Sequence, residues 1–204
     1  MMQATKSTHA RGYHAVRFYE SERSLALIVA DFLGEGFADS QPGLVVATPA
    51  MRAALVLELS ARSQDVVELQ RSGQLLLLDA RELLGVFMID GRPDPTRFNT
   101  TMFETIARVC RGRTDCKLRI FGQMVDVLWR QGHQDAAIHL EMLWNQLAHK
   151  HAFSLLCGYA MGNFYKDSNF EDIWGQHSHV SSDGHTHALM AGRRQGDGTT
   201  GVRA

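Results

Sequence analysis

The stretch that most constrains the fold runs from Lys117 to Tyr159, KLRIFGQMVDVLWRQGHQDAAIHLEMLWNQLAHKHAFSLLCGY. Leu118 to Phe121 reads as a strand, the middle as a long helical region, and Phe153 to Gly158 as a second apolar strand. Two buried strands joined through a helix make a βαβ unit, and such units build parallel sheets. Within the helical region Ala136, Leu140, Leu143, Trp144 and Leu147 recur at three- and four-residue spacing, whereas Glu141, Asn145 and Gln146 fall on other faces. In an open α/β sheet the ligand crevice lies at the carboxyl ends of the strands, which brings Phe121-Gly122-Gln123-Met124 and Cys157-Gly158-Tyr159-Ala160-Met161 to one edge. These segments offer soft, aromatic and amide groups rather than charge, which suits sensing or binding better than turnover.

The rest of the chain continues the alternation. His14 to Tyr19 has the pattern of a first strand, and Leu25, Ile28, Val29, Phe32 and Leu33 form a helical stripe expected to stop at Gly34 and Gly36. Gly43 to Ala47 is a short buried strand, and Thr48-Pro49 supplies an N-cap with proline at the first helical position, opening a helix that buries Met51, Leu55 and Leu59. Asp65 to Arg71 reads as another short helix. Gln74 to Asp79 is the most apolar strand candidate and ends in an aspartate at the ligand edge. Asp94-Pro95 repeats the cap signal for a helix whose face is Phe98, Met102, Ile106 and Val109. The prediction is an α/β fold, a mostly parallel sheet of about five strands flanked by helices. Residues 1–12 are expected to be a flexible N-terminus, 13–180 the folded domain with one more short helix over Asn169 to Gly175, and 181–204 a flexible Gly/Ser/His-rich tail.

A net charge of −1 leaves no electrostatic footprint for nucleic acid or an anionic membrane. No apolar run approaches the roughly 20 residues that span a bilayer, and the polar start MMQATKSTHARG lacks a signal-peptide core. Cys110, Cys116 and Cys157 are an odd set without CxxC spacing, so reduced thiols in a cytoplasmic protein are expected.

The segments HAVRFYES, LLLLDARELL, DGRPDPTRF, RIFGQMVDVLW, HLEMLWNQLA and FSLLCGYAM follow one another over about residues 13 to 180. Together they resemble the MEDS domain, the sensory domain first described in the dichloromethane-responsive repressor of methylotrophs. The resemblance implies a three-layer fold similar to the RecA and circadian-clock KaiC ATPases. It also implies a domain that senses a ligand or signal for a helix-turn-helix, histidine-kinase or anti-sigma-factor-like output. Gln123 stands where that family usually has Glu in an FGEM motif, and Ala160 where proline is common; Gln123 would keep a hydrogen-bonding role without the charge. No output domain follows in the sequence, so action through a regulatory protein partner is expected, whether a histidine kinase, an anti-sigma factor or a transcription factor. RecA relatives often assemble, which makes a homo-oligomer a further expectation.

A RecA-type ATPase needs a glycine-rich loop with Lys-Ser/Thr after its first strand, because backbone amides cradle the phosphates and the lysine reaches the terminal ones. The matching position reads YESERSLAL, without glycine or lysine, and the strand at Leu118 to Phe121 does not end in a magnesium-holding aspartate. Asp126 lies further on, within a helix, and reads as a solvated or capping carboxylate. No GxSxG occurs either, so no catalytic residue is assigned and no enzyme is expected.

For a small apolar ligand at the strand ends, the candidates are His14, Tyr19, Glu20, Thr48, Asp79, Phe121, Gln123, Met124, Trp129, Cys157, Tyr159 and Met161, with Glu20 favoured over His14 and Tyr19. At helical spacing Trp129 and Met124 read more readily as plain core, although Met124 stands just past a strand end, and Cys157 suits an inert buried thiol. His177, His179, His185 and His187 form two H-x-H pairs that offer a site for zinc or another transition metal, although a Gly/Ser-rich tail also captures metal adventitiously. His177, close to the end of the domain, could fold back over the crevice. The expected mechanism is a population shift in which ligand stabilises one placement of Tyr159 to Phe164 and the C-terminal segment. The alternatives are a ligand-free module in a kinase or anti-sigma partner switch, and a metal-responsive sensor using the terminal histidines.

Overall fold

The computed structural model describes residues 13–161 apart from 112 and 114, together with the backbone of 179–182 and 185–188. The first 12 residues, Asn169 to Gly175 and His177 lie outside the described residues. Strand β1 (His14–Tyr19) passes to α1 (Glu22–Ala38) through Glu20 and Ser21 alone. Ser21 starts the helix abruptly, because its hydroxyl accepts the Ser24 amide while the Ser24 hydroxyl accepts the Ser21 amide. The helix does not stop at Gly34 and Gly36. Gly36 serves close packing instead: a Cβ there would stand 2.7 Å from Cδ of Arg119, whose guanidinium donates to the Phe32 carbonyl at 2.7 Å.

The next elements are β2 (Gly43–Ala47), α2 (Pro49–Ala61), α3 (Val66–Arg71) and β3 (Leu75–Asp79). Thr48 caps α2, which buries Met51, Leu55 and Leu59 as its pattern predicts. A helix follows β3 directly, α4 (Ala80–Phe87), which periodicity over so short a stretch does not announce. Then come the hairpin β4 (Met88–Ile89) and β5 (Arg92–Pro93), with Asp90 and Gly91 at positive φ as an Asp-Gly turn requires. Helix α5 (Pro95–Cys110) buries Phe98, Met102, Ile106 and Val109. Strand β6 (Leu118–Gly122) leads to a helical region broken at Gly132, φ 81°, into α6 (Met124–Arg130) and α7 (Gln134–Ala148), and β7 (Phe153–Ala160) follows.

The sheet runs β3-β2-β6-β7-β1 with every neighbouring pair parallel, so the α/β expectation holds. Two further strands, β8 (His179–Ser182) and β9 (His185–Ala188), extend the β1 edge, β8 parallel to β1 and β9 antiparallel to β8. A tail boundary at residue 181 therefore cuts through a hairpin. Helices α1, α2 and α3 cover one face with Leu25, Val29, Leu33, Met51, Leu55 and Val66, and α4 to α7 cover the other. Cys110 and Cys116 are joined in a disulfide, which corrects the expectation of three reduced thiols and leaves Cys157 as the free, buried one. Among the described residues no helix is long and apolar enough to cross a membrane.

Helix α7 is anchored by Trp144, fully buried, whose ring meets Phe98 edge-on at 5.3 Å and Phe153 at 6.1 Å. Trp144→Ala should lower unfolding free energy by about 3 to 5 kcal/mol in urea titration, whereas Met142→Ala on the half-exposed side of the same helix should stay within about 0.5 kcal/mol. Equal effects of the two would contradict this packing.

Candidate functional site

The carboxyl ends of four parallel strands are tied by one hydrogen-bond network. Tyr19, the last residue of β1, is 1% exposed, and its hydroxyl donates to Asp126 Oδ2 at 2.8 Å. Asp126 Oδ1 accepts the backbone amide of Ala160, the end of β7, at 2.9 Å, and Arg130 Nε lies 2.8 Å from Oδ2. Arg130 Nη2 also donates to the Tyr19 oxygen at 2.6 Å. Gln123, just past β6, donates to that oxygen at 3.2 Å, and its own carbonyl accepts both the amide and the hydroxyl of Thr48, just past β2, at 3.0 and 3.1 Å.

Asp126 is therefore not the solvated helix carboxylate that its position suggests: it is 1% exposed. Burial raises its pKa, opposed by the Ala160 amide and by Arg130. Burial also pushes the Tyr19 phenol far up, and the neighbouring Asp126 charge adds to the shift. Buried polar groups are tolerated only when their bonds are made, so the network has a defined geometry rather than a loose one.

A second polar cluster lies under α7, away from the strand ends. Strand alternation turns His14 of β1 and Cys157 and Tyr159 of β7 toward that helix, where Glu141 is fully buried. This corrects the reading that sets Glu141 apart from the buried stripe of the helix. His14 Nε2 lies 3.2 Å from Glu141 Oε2 and 3.3 Å from Cys157 Sγ. Tyr159 donates to Glu141 Oε1 at 3.0 Å, and His14 Nδ1 meets Asn145 Oδ1 at 2.8 Å. Burial, with Glu141 close by, pushes both the Cys157 thiol and the Tyr159 phenol well above their ordinary range.

The expected candidates thus divide. Tyr19, Gln123 and Thr48 meet in the strand-end network, and His14, Cys157 and Tyr159 meet under α7. Phe121, Met124 and Trp129 are core, Trp129 standing edge-on to the Tyr159 ring at 5.8 Å. Glu20 is exposed. Asp79 is engaged elsewhere: it caps α4 through the Arg81 and Glu82 amides and pairs with Arg52 at 2.8 Å. Met161, partly buried, packs on the α7-side core. In the terminal hairpin His179 is opposed to Ala188, while His185 and His187 oppose Ser182 and Val180, so His179 falls in the other alternating set. The residues that sequence reasoning missed are Asp126, Arg130, Glu141 and Asn145. For the α7 pair a signal existed, because small Ala137 shares an i, i+4 row with Glu141 and Asn145 and widens the buried stripe.

A family model described as the methanogen/methylotroph, DcmR sensory domain, MEDS, matches residues 13–178. No curated protein sequence matches the chain. Among solved structures, a KaiC-like protein of the hyperthermophilic archaeon Pyrococcus horikoshii is similar with a TM-score of 0.57 at 12% identity, over 84% of this chain and 72% of that one. An uncharacterized protein of the same organism, solved in complex with an unknown peptide, is similar with a TM-score of 0.58 at 12% identity, over 84% and 77%. At such identity these likenesses concern the fold.

The raised pKa values fix the sign of the alkaline response. In the unfolded chain thiol and phenol ionise near about 8.5 and 10, whereas in the native state Cys157, Tyr19 and Tyr159 hold their protons to higher pH. The unfolded state therefore binds fewer protons above these values, and stability that is full below about pH 8.5 falls as pH rises. Tyr19→Phe removes one such group and should reduce the alkaline slope of unfolding free energy by up to about 1.4 kcal/mol per pH unit above pH 10. An unchanged slope would contradict the buried, protonated phenol.

Proposed function

The chain belongs to the MEDS family of sensory domains, and from that premise we propose that it is a non-catalytic signal-sensing regulator. In this reading the strand-end network responds to a small apolar molecule and relays the change to a protein partner. The observation that carries the reading is Asp126, which joins β1, β7 and α6 by bonds to Tyr19, Ala160 and Arg130. The two-residue β1–α1 turn supports the absence of phosphate chemistry, since Ser21 already caps the helix and leaves no loop to wrap a phosphate.

A hydrogen bond to a charged group contributes roughly 1.5 to 3 kcal/mol, so a ligand that draws Tyr19 or Gln123 away shifts the network between discrete arrangements rather than deforming it smoothly. Arg130, whose side chain is 41% exposed, connects the buried carboxylate to the surface. Ala160 connects it to the segment that begins at Met161. Partner affinity is the output of either movement.

A ligand-free interaction module is the second reading, favoured by Leu57 and Val67, which stand 72% and 76% exposed on the neighbouring helices α2 and α3. Capture of a partner would then need no small molecule and would be lost in Leu57→Asp with Val67→Asp.

Calorimetric and 15N NMR titration with a panel of small halogenated and one-carbon compounds, dichloromethane first, tests the main reading. One-site binding is expected to shift the amides of Tyr19, Gln123 and Ala160, with Gln123→Ala about ten-fold weaker. Absence of binding across the panel, or binding that leaves these amides unmoved, would overturn it.

A further inference from the structure

The cluster under α7 shares no side chain with the strand-end network, and sensing of an apolar molecule makes no use of its chemistry. Three different donor types converge there from three elements: imidazole from β1, carboxylate from α7 and thiol from β7. All three residues are buried. We propose that His14, Glu141 and Cys157 are the protein ligands of a transition-metal ion of the zinc class.

Donor spacing is the first support. The triangle of His14 Nε2, Glu141 Oε2 and Cys157 Sγ has edges of 3.2, 3.3 and 3.5 Å. Zinc bonds of about 2.0 to 2.2 Å to nitrogen and oxygen and about 2.3 Å to sulfur, at tetrahedral angles, give edges of about 3.4 to 3.6 Å. An ion therefore enters with donor movements of a few tenths of an ångström.

The surrounding bonds are the second support. Asn145 Oδ1 lies 2.8 Å from His14 Nδ1 and can only accept, so Nδ1–H donates to it in the loaded site, while Nε2 gives up any proton it shares with Glu141 Oε2 and turns its lone pair to the ion. Tyr159 holds Glu141 Oε1 at 3.0 Å, which aims Oε2 inward. Metal-bound histidines and carboxylates are held by outer partners in this manner.

Charge is the third. On loading, Cys157 releases its thiol proton to solvent and a sulfur–metal bond forms, with no change of oxidation state. Thiolate and carboxylate then balance a divalent ion beside a neutral imidazole, which is the form in which buried charge is tolerated. Three protein ligands leave a fourth position, which a water molecule would complete. His14 and Asn145 could also suggest an activated thiol nucleophile, but Cys157 has no exposed surface through which to meet a substrate.

The Cys110–Cys116 disulfide makes the test selective, since Cys157 alone can supply a thiolate. The full, untagged chain is stripped with chelator and titrated with cobalt(II) chloride. Expected are one cobalt per chain, the visible bands of a tetrahedral ion and a thiolate-to-cobalt charge-transfer band. Cys157→Ser should lose the charge-transfer band, and Tyr159→Phe should bind cobalt about 10- to 100-fold more weakly. Replacing His177, His179, His185 and His187 together by alanine should change neither band nor stoichiometry. X-ray absorption of the cobalt-loaded wild type, which needs no variant to fold, should show one sulfur near about 2.3 Å. A sulfur-free shell, no cobalt uptake, a charge-transfer band that survives Cys157→Ser, or a site lost with the terminal histidines would each overturn the proposal.

Discussion

A carboxylate buried at the end of a parallel sheet is the constraint around which this molecule is arranged. Asp126 has almost no contact with water, so its oxygens must find donors within the protein. The donors come from separate parts of the chain: the phenol that ends β1, the amide that ends β7 and the guanidinium one turn along α6. Satisfying one group thus fixes the relative placement of three elements. Gln123 extends the tie to β2 through Thr48. Ser21 starts α1 two residues after Tyr19, whose side chain is buried at the strand end.

Neighbouring strands β1 and β7 contribute to both polar clusters, one at the carboxyl edge of the sheet and one under α7. Alternation sends His14 toward α7 and Tyr19, five residues on, toward α1. On β7, Cys157 and Tyr159 face α7 while the amide of Ala160 meets Asp126. A shift of β7 along β1 would disturb both clusters together. This shared pair of strands is the physical route by which a change at the strand ends could be felt under α7.

Much of this was legible in the sequence, and the failures share a cause. The strands His14–Tyr19 and Gly43–Ala47, the caps at Thr48 and Asp94 and the buried faces of α2 and α5 follow from alternation, capping chemistry and helical spacing, all local. Glu141 and Asp126 depart from what spacing implies, because a charged residue on an amphipathic helix is expected to face water, and only partners elsewhere in the chain reverse that expectation. Gly34 and Gly36 read as a helix end, yet Gly36 admits the Arg119 side chain, whose approach is visible only in three dimensions. Asp79 looked like a ligand group at the end of its strand and is engaged by α4 and Arg52. The β8–β9 hairpin pairs through its backbone with β1, a partner far away in the chain, so composition carries no sign of it.

The most direct test of the central claim is a double-mutant cycle on the unfolding free energy of Tyr19→Phe, Asp126→Asn and the pair. If the buried carboxylate organises the strand ends through the Tyr19 hydroxyl, the coupling energy should exceed about 1 kcal/mol, as for a hydrogen bond to a charged group. Additivity within about 0.5 kcal/mol would mean that the two side chains act independently, and would contradict the account.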